Sequence, residues 1–386
     1  MISNICKRMK FSGIALRLCI IFSVTSVDNK CFNNKDCKSC VEDRTWAGRP
    51  CRWCVLDRAC HTTWSPKNHC IKGLNIKDPL QCELYYRRTN LGEYDPKEAY
   101  KLAMFSALAY SDTPELCLRE VFPNSDYQIV SVNLQPCDDF LFDYDNKCMQ
   151  FVAVSQRNGE IVVAFRGTRG VKQIVDQVLM IIAIPAVSST IGGRVQAYFQ
   201  NVHDKLFAGV YQTVMSMKHL FPDFTVKFTG HSLGGAVAAI ASAHMVKEKM
   251  LSKENVVLYT FGMPRVGDKR FAQMHDHLVP NSWRVVREGD IVARLPICKL
   301  ASCTRFNGPY HHRWKVSYSG ENMNIDSEFL ICKGNEDSSN ECEERSRQRR
   351  HLFTGVMDAH KNYFDIPIGT FCRDYVLKNL SMTTNI

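Results

Sequence analysis

The chain has 386 residues, of which 45% are hydrophobic and 23% charged, and a formal net charge of +10; this is an ordinary globular composition and excludes a largely disordered polymer. The charge is unevenly spread: residues 1–26 carry four basic and no acidic residues, residues 27–90 twelve and seven, and the remainder 33 and 32. The bulk of the chain is thus close to neutral and offers no basic stripe, which argues for no nucleic-acid partner.

Lys7, Arg8 and Lys10 precede the apolar run "FSGIALRLCIIFSVTS", which ends in small residues near Ser26. Residues 1–26 read as a secretory signal peptide, with Met9 as an alternative start. No later apolar run approaches the roughly 20 residues needed to span a bilayer, so the mature chain is expected to be secreted. Of eighteen cysteines, sixteen remain once Cys6 and Cys19 leave with the signal, an even and abundant set that an oxidising compartment permits.

Eight of them lie from Cys31 to Cys82, within residues 27–90 and among few aliphatic side chains. Such a segment cannot bury enough apolar surface to fold unaided, so disulfides must close it. A zinc site at "CKSC" and "CRWC" is the rival reading. In "CKSCVEDRTWAGRPCRWC" the spacing resembles the plexin-semaphorin-integrin (PSI) type of cysteine-rich module. The resemblance implies a rigid spacer or docking wedge for a protein or glycan partner, with no chemistry of its own.

A second module, residues 91–386, opens at "DPKEAYKLAMFSALAY". Asp95 can cap a helix, Pro96 suits its first position, and Glu98 can complete a capping box. Tyr100, Ala103, Met104, Ala107 and Leu108 recur at helical spacing and mark the buried stripe. After a looser stretch, "MQFVAVSQRNGEIVVAFRG" gives two strands about the turn "RNG", a hairpin signal. In "VKQIVDQVLMIIAIPAV", residues 171–187, Val171, Ile174, Val175, Val178, Leu179 and Ile182 predict an amphipathic helix that Pro185 stops, and "SSTIGG" reads as a flexible return. "FTVKFTGHSLGGAVAAIASAHMVKEK" reads as strand, sharp turn, helix; "NVVLYTFGMPRVGDKRFAQM" repeats strand then helix; "SWRVVREGDIVARLP" supplies a further strand. Strands alternating with helices predict an α/β domain with a mostly parallel sheet.

The remaining signals are weaker. "GNEDSSNECEERSRQRR" reads as a surface insertion whose "RQRR" at 347–350 is either a convertase site or a solvated loop, and "NLS" at 379–381 is a glycosylation sequon. In "HDH" at 275–277 the histidines would point apart on a helix, so no metal is expected, and no cofactor. Close spacing suggests pairing Cys137 with Cys148, Cys298 with Cys303 and Cys332 with Cys342, leaving Cys117 for Cys372.

"GHSLGG" places Ser232 in a G-x-S-x-G pattern between a strand and a small-residue helix, where a tight elbow would push its hydroxyl outward. A serine hydroxyl needs a base to take its proton and an acid to orient that base. Asp290, just past a predicted strand, is the candidate acid, and His360 is preferred as base over His311, His312 and His351. "FRGT", "GHSLGGAVA", "FGMPRVGD", "GDIVARLP" and "DAHKNYF", in that order, resemble the fungal-type class 3 triacylglycerol lipase family.

The resemblance implies an α/β-hydrolase fold with a small disulfide-rich N-terminal domain, and a catalytic triad of Ser232, Asp290 and His360. It also implies an oxyanion hole at Thr168 and the backbone N–H of Leu233. Residues Val171, Ile174, Val175, Val178 and Leu179 then fall where that family carries a lid helix, and the implied partner is a lipid ester at a lipid–water interface, with transient contact to a membrane or droplet surface. The rival readings are an esterase or phospholipase of the same family, and a catalytically silent lipid-binding or adhesion protein.

Overall fold

The computed structural model describes residues 30–54, 59–62, 75–82, 93–137, 147–168, 185–296, 308–319, 323–332 and 356–374. The signal peptide, the lid segment from Val171 to Leu179, Cys298, Cys303, Cys342, the basic tract at 347–350, His351 and the sequon at 379–381 lie outside these residues. The chain divides into two units, residues 1–91 and 92–386.

In the smaller unit, helix α1 (Cys37–Glu42) is capped by the Asp36 side chain, which accepts from the Ser39 N–H at 2.9 Å. Strands β1 (Cys51–Cys54), β2 (Ala59–Thr62) and β3 (Asn75–Ile76) form an antiparallel sheet in the order β2-β1-β3. Its core consists of half-cystines around Trp53 and Ile76. Cys31 is bonded to Cys51, Cys37 to Cys82 and Cys40 to Cys60, and Cys54 is also in a disulfide. All four cysteines of "CKSC" and "CRWC" are therefore oxidised, which removes the thiolates a zinc site requires.

The larger unit begins with α2 (Pro96–Leu108), α3 (Pro114–Val121), β4 (Gln128–Pro136), β5 (Lys147–Ser155), β6 (Glu160–Phe165) and the short β7 (Ala186–Ser188) and β8 (Arg194–Gln196). Then come α4 (Ala197–Leu220), β9 (Thr225–His231), α5 (Leu233–Lys247), β10 (Val256–Phe261), β11 (Gly267–Asp268), α6 (Lys269–Leu278) and β12 (Ser282–Arg287). Strands β13 (Pro309–Tyr310), β14 (Lys315–Tyr318) and β15 (Phe329–Cys332), helix α7 (Val356–Lys361) and the hairpin β16 (Asn362–Tyr363) and β17 (Ile366–Pro367) complete it.

Eight strands form the main sheet in the order β15-β14-β12-β10-β9-β6-β5-β4. The run from β14 to β6 is parallel, and the flanking pairs β15/β14, β6/β5 and β5/β4 are antiparallel. The sheet is thus mixed, with the expected parallel character at its centre. Central strands such as β6, buried along their whole length, are covered on both faces, which is what parallel pairing through helical crossovers demands.

Four local findings refine the sequence reading. Asp95 does cap α2, accepting from the Lys97 N–H at 2.9 Å, but Glu98 forms no capping box. Its carboxylate turns to Lys101 at 2.9 Å and Lys227 at 2.7 Å, while the Asp95 N–H goes to Tyr259 Oη at 3.4 Å; two charged partners outbid one amide. The buried stripe of α2 is also wider than predicted, taking in Leu102 and Phe105 and leaving Tyr100 half-buried, because α2 packs between the sheet, α3 and the C-terminal hairpin.

The looser stretch holds α3 and the nine-residue β4. A register shift lies between Ile129 and Ser131, while more and less exposed positions alternate from Gln128 to Leu134. "SSTIGG" closes a hairpin between β7 and β8, with Ser189 N–H to Gly193 O at 3.0 Å and Gly192 N–H to Ser189 O at 3.1 Å. Gly192 and Gly193 supply its left-handed φ angles of 106° and 77°, so the return is a defined turn.

Cys117 pairs with Cys372 and Cys137 with Cys148. The first of these fastens the C-terminal segment to α3. The parallel strands β6, β9, β10 and β12 all end at one edge, and Thr168, Ser232, Gly262 and Asp290 follow those ends. In open α/β sheets this carboxyl edge is where ligands bind.

Candidate active site

Ser232 stands between β9 and α5 with φ 57° and ψ −127°, a strained conformation for a residue with a side chain. Two close approaches force it. A Cβ on Gly230 would overlap the backbone of Gly234, and a Cβ on Gly234 would overlap the carbonyl of Phe165. Only glycine at both positions lets strand, turn and helix come this close, and the Ser232 N–H is then held by Phe261 O at 2.9 Å.

His360 is in α7, fully buried, with Nε2 3.0 Å from Ser232 Oγ and Nδ1 2.9 and 3.0 Å from the two oxygens of Asp290. A carboxylate only accepts, so the proton sits on Nδ1 and the Nε2 lone pair faces the serine hydroxyl. The chain order Ser, Asp, His therefore becomes one hydrogen-bonded line. Sequence separations of 128 and 70 residues close within it.

Asp290 is 1% exposed. Burial alone would raise its pKa; the charge and N–H of His360, the Tyr363 hydroxyl and the Ala293 amide outweigh it and hold the carboxyl below its ordinary value. The donors are Tyr363 Oη at 2.6 Å on Oδ2, and the Val292 and Ala293 amides at 2.8 and 3.2 Å on Oδ1. Burial, then the Asp290 charge, push the Tyr363 hydroxyl well above its usual range, so it stays a donor. Gly262, with φ 58°, passes beneath the pair; a Cβ there would lie 2.5 Å from Asp290 Oδ2 and 2.8 Å from His360 Nδ1.

The segment after α7 is fixed by a two-residue turn in which Phe364 and Asp365 have φ 54° and 59°. That conformation is costly for a bulky residue, and packing offsets it: Phe364 is buried against Tyr100, Phe261 and Tyr318. Arg287 Nη1 donates to Asn362 O at 3.2 Å, tying the turn to the end of β12.

Thr168 and Leu233 belong to the two segments that pass each other at the elbow. Leu233 is the first residue of α5, whose initial N–H groups have no acceptor within the helix and present a partial positive charge. The Thr168 side chain is buried, and among the described residues its hydroxyl has no hydrogen-bond partner. Phe165 lies against Gly234 and Gly167 against the carbonyl of His231, so the "FRGT" segment crosses directly beside the elbow.

Of the predicted site residues, the structure brings Ser232, Asp290 and His360 into one hydrogen-bonded line; Leu233 follows Ser232 directly, and Thr168 ends the segment that crosses beside the elbow. His311 and His312 are buried elsewhere. His311 Nε2 meets Ala293 O at 2.8 Å, and His312 stacks on His275 with centroids 3.9 Å apart. Tyr363 and Gly262 were not anticipated, although both lie inside the quoted motifs "DAHKNYF" and "FGMPRVGD".

Residues 162–300 match the family model for lipase (class 3). Lipase ZK262.3 of Caenorhabditis elegans is 31% identical over 296 residues, covering 72% of this chain and 82% of that protein. The solved lipase of Rhizopus microsporus var. chinensis superposes with a TM-score of 0.57 at 25% identity, covering 72% of this chain and 89% of that one. A solved triacylglycerol lipase whose catalytic centre is formed by a serine protease triad gives a TM-score of 0.55 at 25% identity, covering 72% and 96%. Together with the elbow and the buried Ser–His–Asp line, these relationships identify the chain as a member of the class 3 lipase family, a serine ester hydrolase on the α/β-hydrolase fold.

Proposed function

We propose that the protein is a secreted lipase that cleaves carboxylic ester bonds of lipids, triacylglycerol type, through an acyl-enzyme on Ser232. The observation that carries this is the line Ser232 Oγ, His360 Nε2, His360 Nδ1, Asp290, with every member buried and within 3.0 Å of the next. As Ser232 Oγ attacks the ester carbon, His360 Nε2 takes its proton and Asp290 balances the imidazolium. The carbonyl oxygen becomes an oxyanion held by Thr168 and the Leu233 N–H, each such donor being worth about 2.7–4 kcal/mol. His360 then protonates the departing alcohol oxygen, water attacks the acyl-serine with His360 again as base, and the fatty acid leaves.

Three sequence features complete the reading. The signal at residues 1–26 and the disulfides fit secretion. Residues 27–90 act as a PSI-like spacer or docking module, and residues 91–386 are the lipase domain. The aliphatic periodicity from Val171 to Leu179, which lies outside the described residues, is read from the sequence as a lid: exposing five such side chains to water would cost about 8–15 kcal/mol as an upper bound, a cost that contact with lipid would offset.

Purified protein given triolein and phosphatidylcholine emulsions tests this. Fatty acid should be released from triolein, with a jump in rate above the substrate's solubility limit, and release should vanish in Ser232→Ala. Preference for phosphatidylcholine would make it a phospholipase. Folded wild type releasing nothing would leave the silent lipid binder.

A further inference from the structure

Two side chains beneath the triad take part in no step above. His231, the last residue of β9, is 2% exposed, with Nε2 2.8 Å from the backbone carbonyl of His360 and Nδ1 2.9 Å from Tyr110 Oη. Tyr110 lies just beyond the end of α2, and Gly167, one residue before Thr168, is packed against its hydroxyl so closely that a Cβ would overlap the oxygen.

We infer that Tyr110 and His231 are positioning residues, a neutral relay that fixes the main chain of the base His360 and ties it to the loop carrying the oxyanion donor Thr168. The inference rests on the Ser–His–Asp reading and adds to it how the base is held.

The hydrogen-bond roles follow from the partners. A backbone carbonyl only accepts, so His231 must carry its proton on Nε2, and Nδ1 is left to accept from the Tyr110 hydroxyl. The bonded carbonyl needs this partner. His360 sits in the last turn of a six-residue helix, where carbonyls have no intrahelical donor, and a buried carbonyl left bare is costly.

Neutrality matters as much as geometry. The His231 and His360 rings are 4.6 Å apart, and His360 becomes a cation when it takes the serine proton. A second cation there would oppose that step. Burial, then the neighbouring His360, push His231 down to about 3, so it stays uncharged. Burial likewise pushes Tyr110 up, and its hydroxyl keeps the proton it donates. The Gly167 N–H is directed at the same oxygen, so a shift of the oxyanion loop is felt at the carbonyl of His360 through two side chains.

The test uses the full chain on a soluble short-chain p-nitrophenyl ester, with folding followed by Tm and active sites counted by fluorophosphonate labelling. In Tyr110→Phe, which keeps the ring, kcat should fall about tenfold with KM unchanged, an interaction needed mainly in the transition state. His231→Leu should lose about a hundredfold. His231→Gln keeps an N–H aimed at the carbonyl, so it should recover to within about fivefold of wild type, and adding Tyr110→Phe to it should cost clearly less than the same change in the wild type, since only the Gly167 N–H contact is then left to lose.

If Leu and Gln at 231 are equally active per labelled site, or if Tyr110→Phe costs the same on both backgrounds, the relay is overturned while the lipase reading stands. A wild type that neither labels nor hydrolyses overturns both.

Discussion

Gly262→Ala adds one methyl group at the point where Asp290 and His360 meet. The new Cβ would lie 2.5 Å from Asp290 Oδ2, 2.8 Å from His360 Nδ1 and 3.0 Å from His360 Cε1. To reach an ordinary contact of 3.4 Å, the carboxylate oxygen must retreat by about 0.9 Å. The bond it makes to His360 is 2.9 Å long, so such a retreat stretches it beyond hydrogen-bond range. Overpacking and the left-handed φ of 58° together cost about 2–5 kcal/mol of stability, a Tm drop of about 3–8 °C.

Misplacing the base by this much should lower kcat/KM about 100-fold per folded molecule. The control is Gly159→Ala in the turn between β5 and β6. It has the same sign of φ, at 60°, but its nearest neighbour, the Phe224 ring, is 3.9 Å from the added carbon, so it should lose stability and keep its specific activity. Both variants are measured on p-nitrophenyl butyrate beside thermal unfolding. A Gly262→Ala protein that keeps more than a tenth of its activity when folded would refute the idea that this packing holds the triad.

Two further outcomes are expected. Thr168→Ala should lower kcat about 10²–10³-fold with little change in KM, and Thr168→Ser should restore most of it, since the hydroxyl is the donor removed; equal activity of Ala and Ser variants would exclude the hydroxyl. Burial holds His231 and His275 near 3 and His311 and His312 well below 6.5. The folded state therefore refuses protons that the unfolded chain accepts below about pH 6.5, so stability is full above that pH and falls as pH drops towards 3. At pH 5.5 His231 and His275 each remove roughly 1.4 kcal/mol, and Tm should decline steeply from pH 7 to 5. A flat profile over that range would mean these rings are not neutral in the fold.

Much of the site was legible because its chemistry is local in sequence. "GHSLGG" declares the elbow through glycines that backbone contact requires, and the order Ser232, Asp290, His360 follows from strands that all end at one edge of the sheet. What escaped was set by contacts between distant segments. Tyr363 gains its role only when Asp290 folds onto it across 73 residues, and the pattern of "DAHKNYF" shows an aromatic but no partner.

His231 fills a variable position of G-x-S-x-G, and nothing local in the sequence tells that its ring meets Tyr110 and the carbonyl of His360. Glu98 carried the capping-box signature, yet Lys101 and Lys227 claimed it. At the sheet edge, β4 turns its apolar residues Val130, Val132 and Leu134 outward and Ser131 and Asn133 to the less exposed side, the reverse of the pattern by which a half-buried strand is recognised.

The most direct test of the central claim is to treat the folded protein with a fluorophosphonate and map the adduct by peptide mass spectrometry. One label per chain on Ser232, with ester hydrolysis lost in proportion and no label in Ser232→Ala, is the predicted result. Hydrolysis that survives in Ser232→Ala, or a label that settles on another residue, would contradict it.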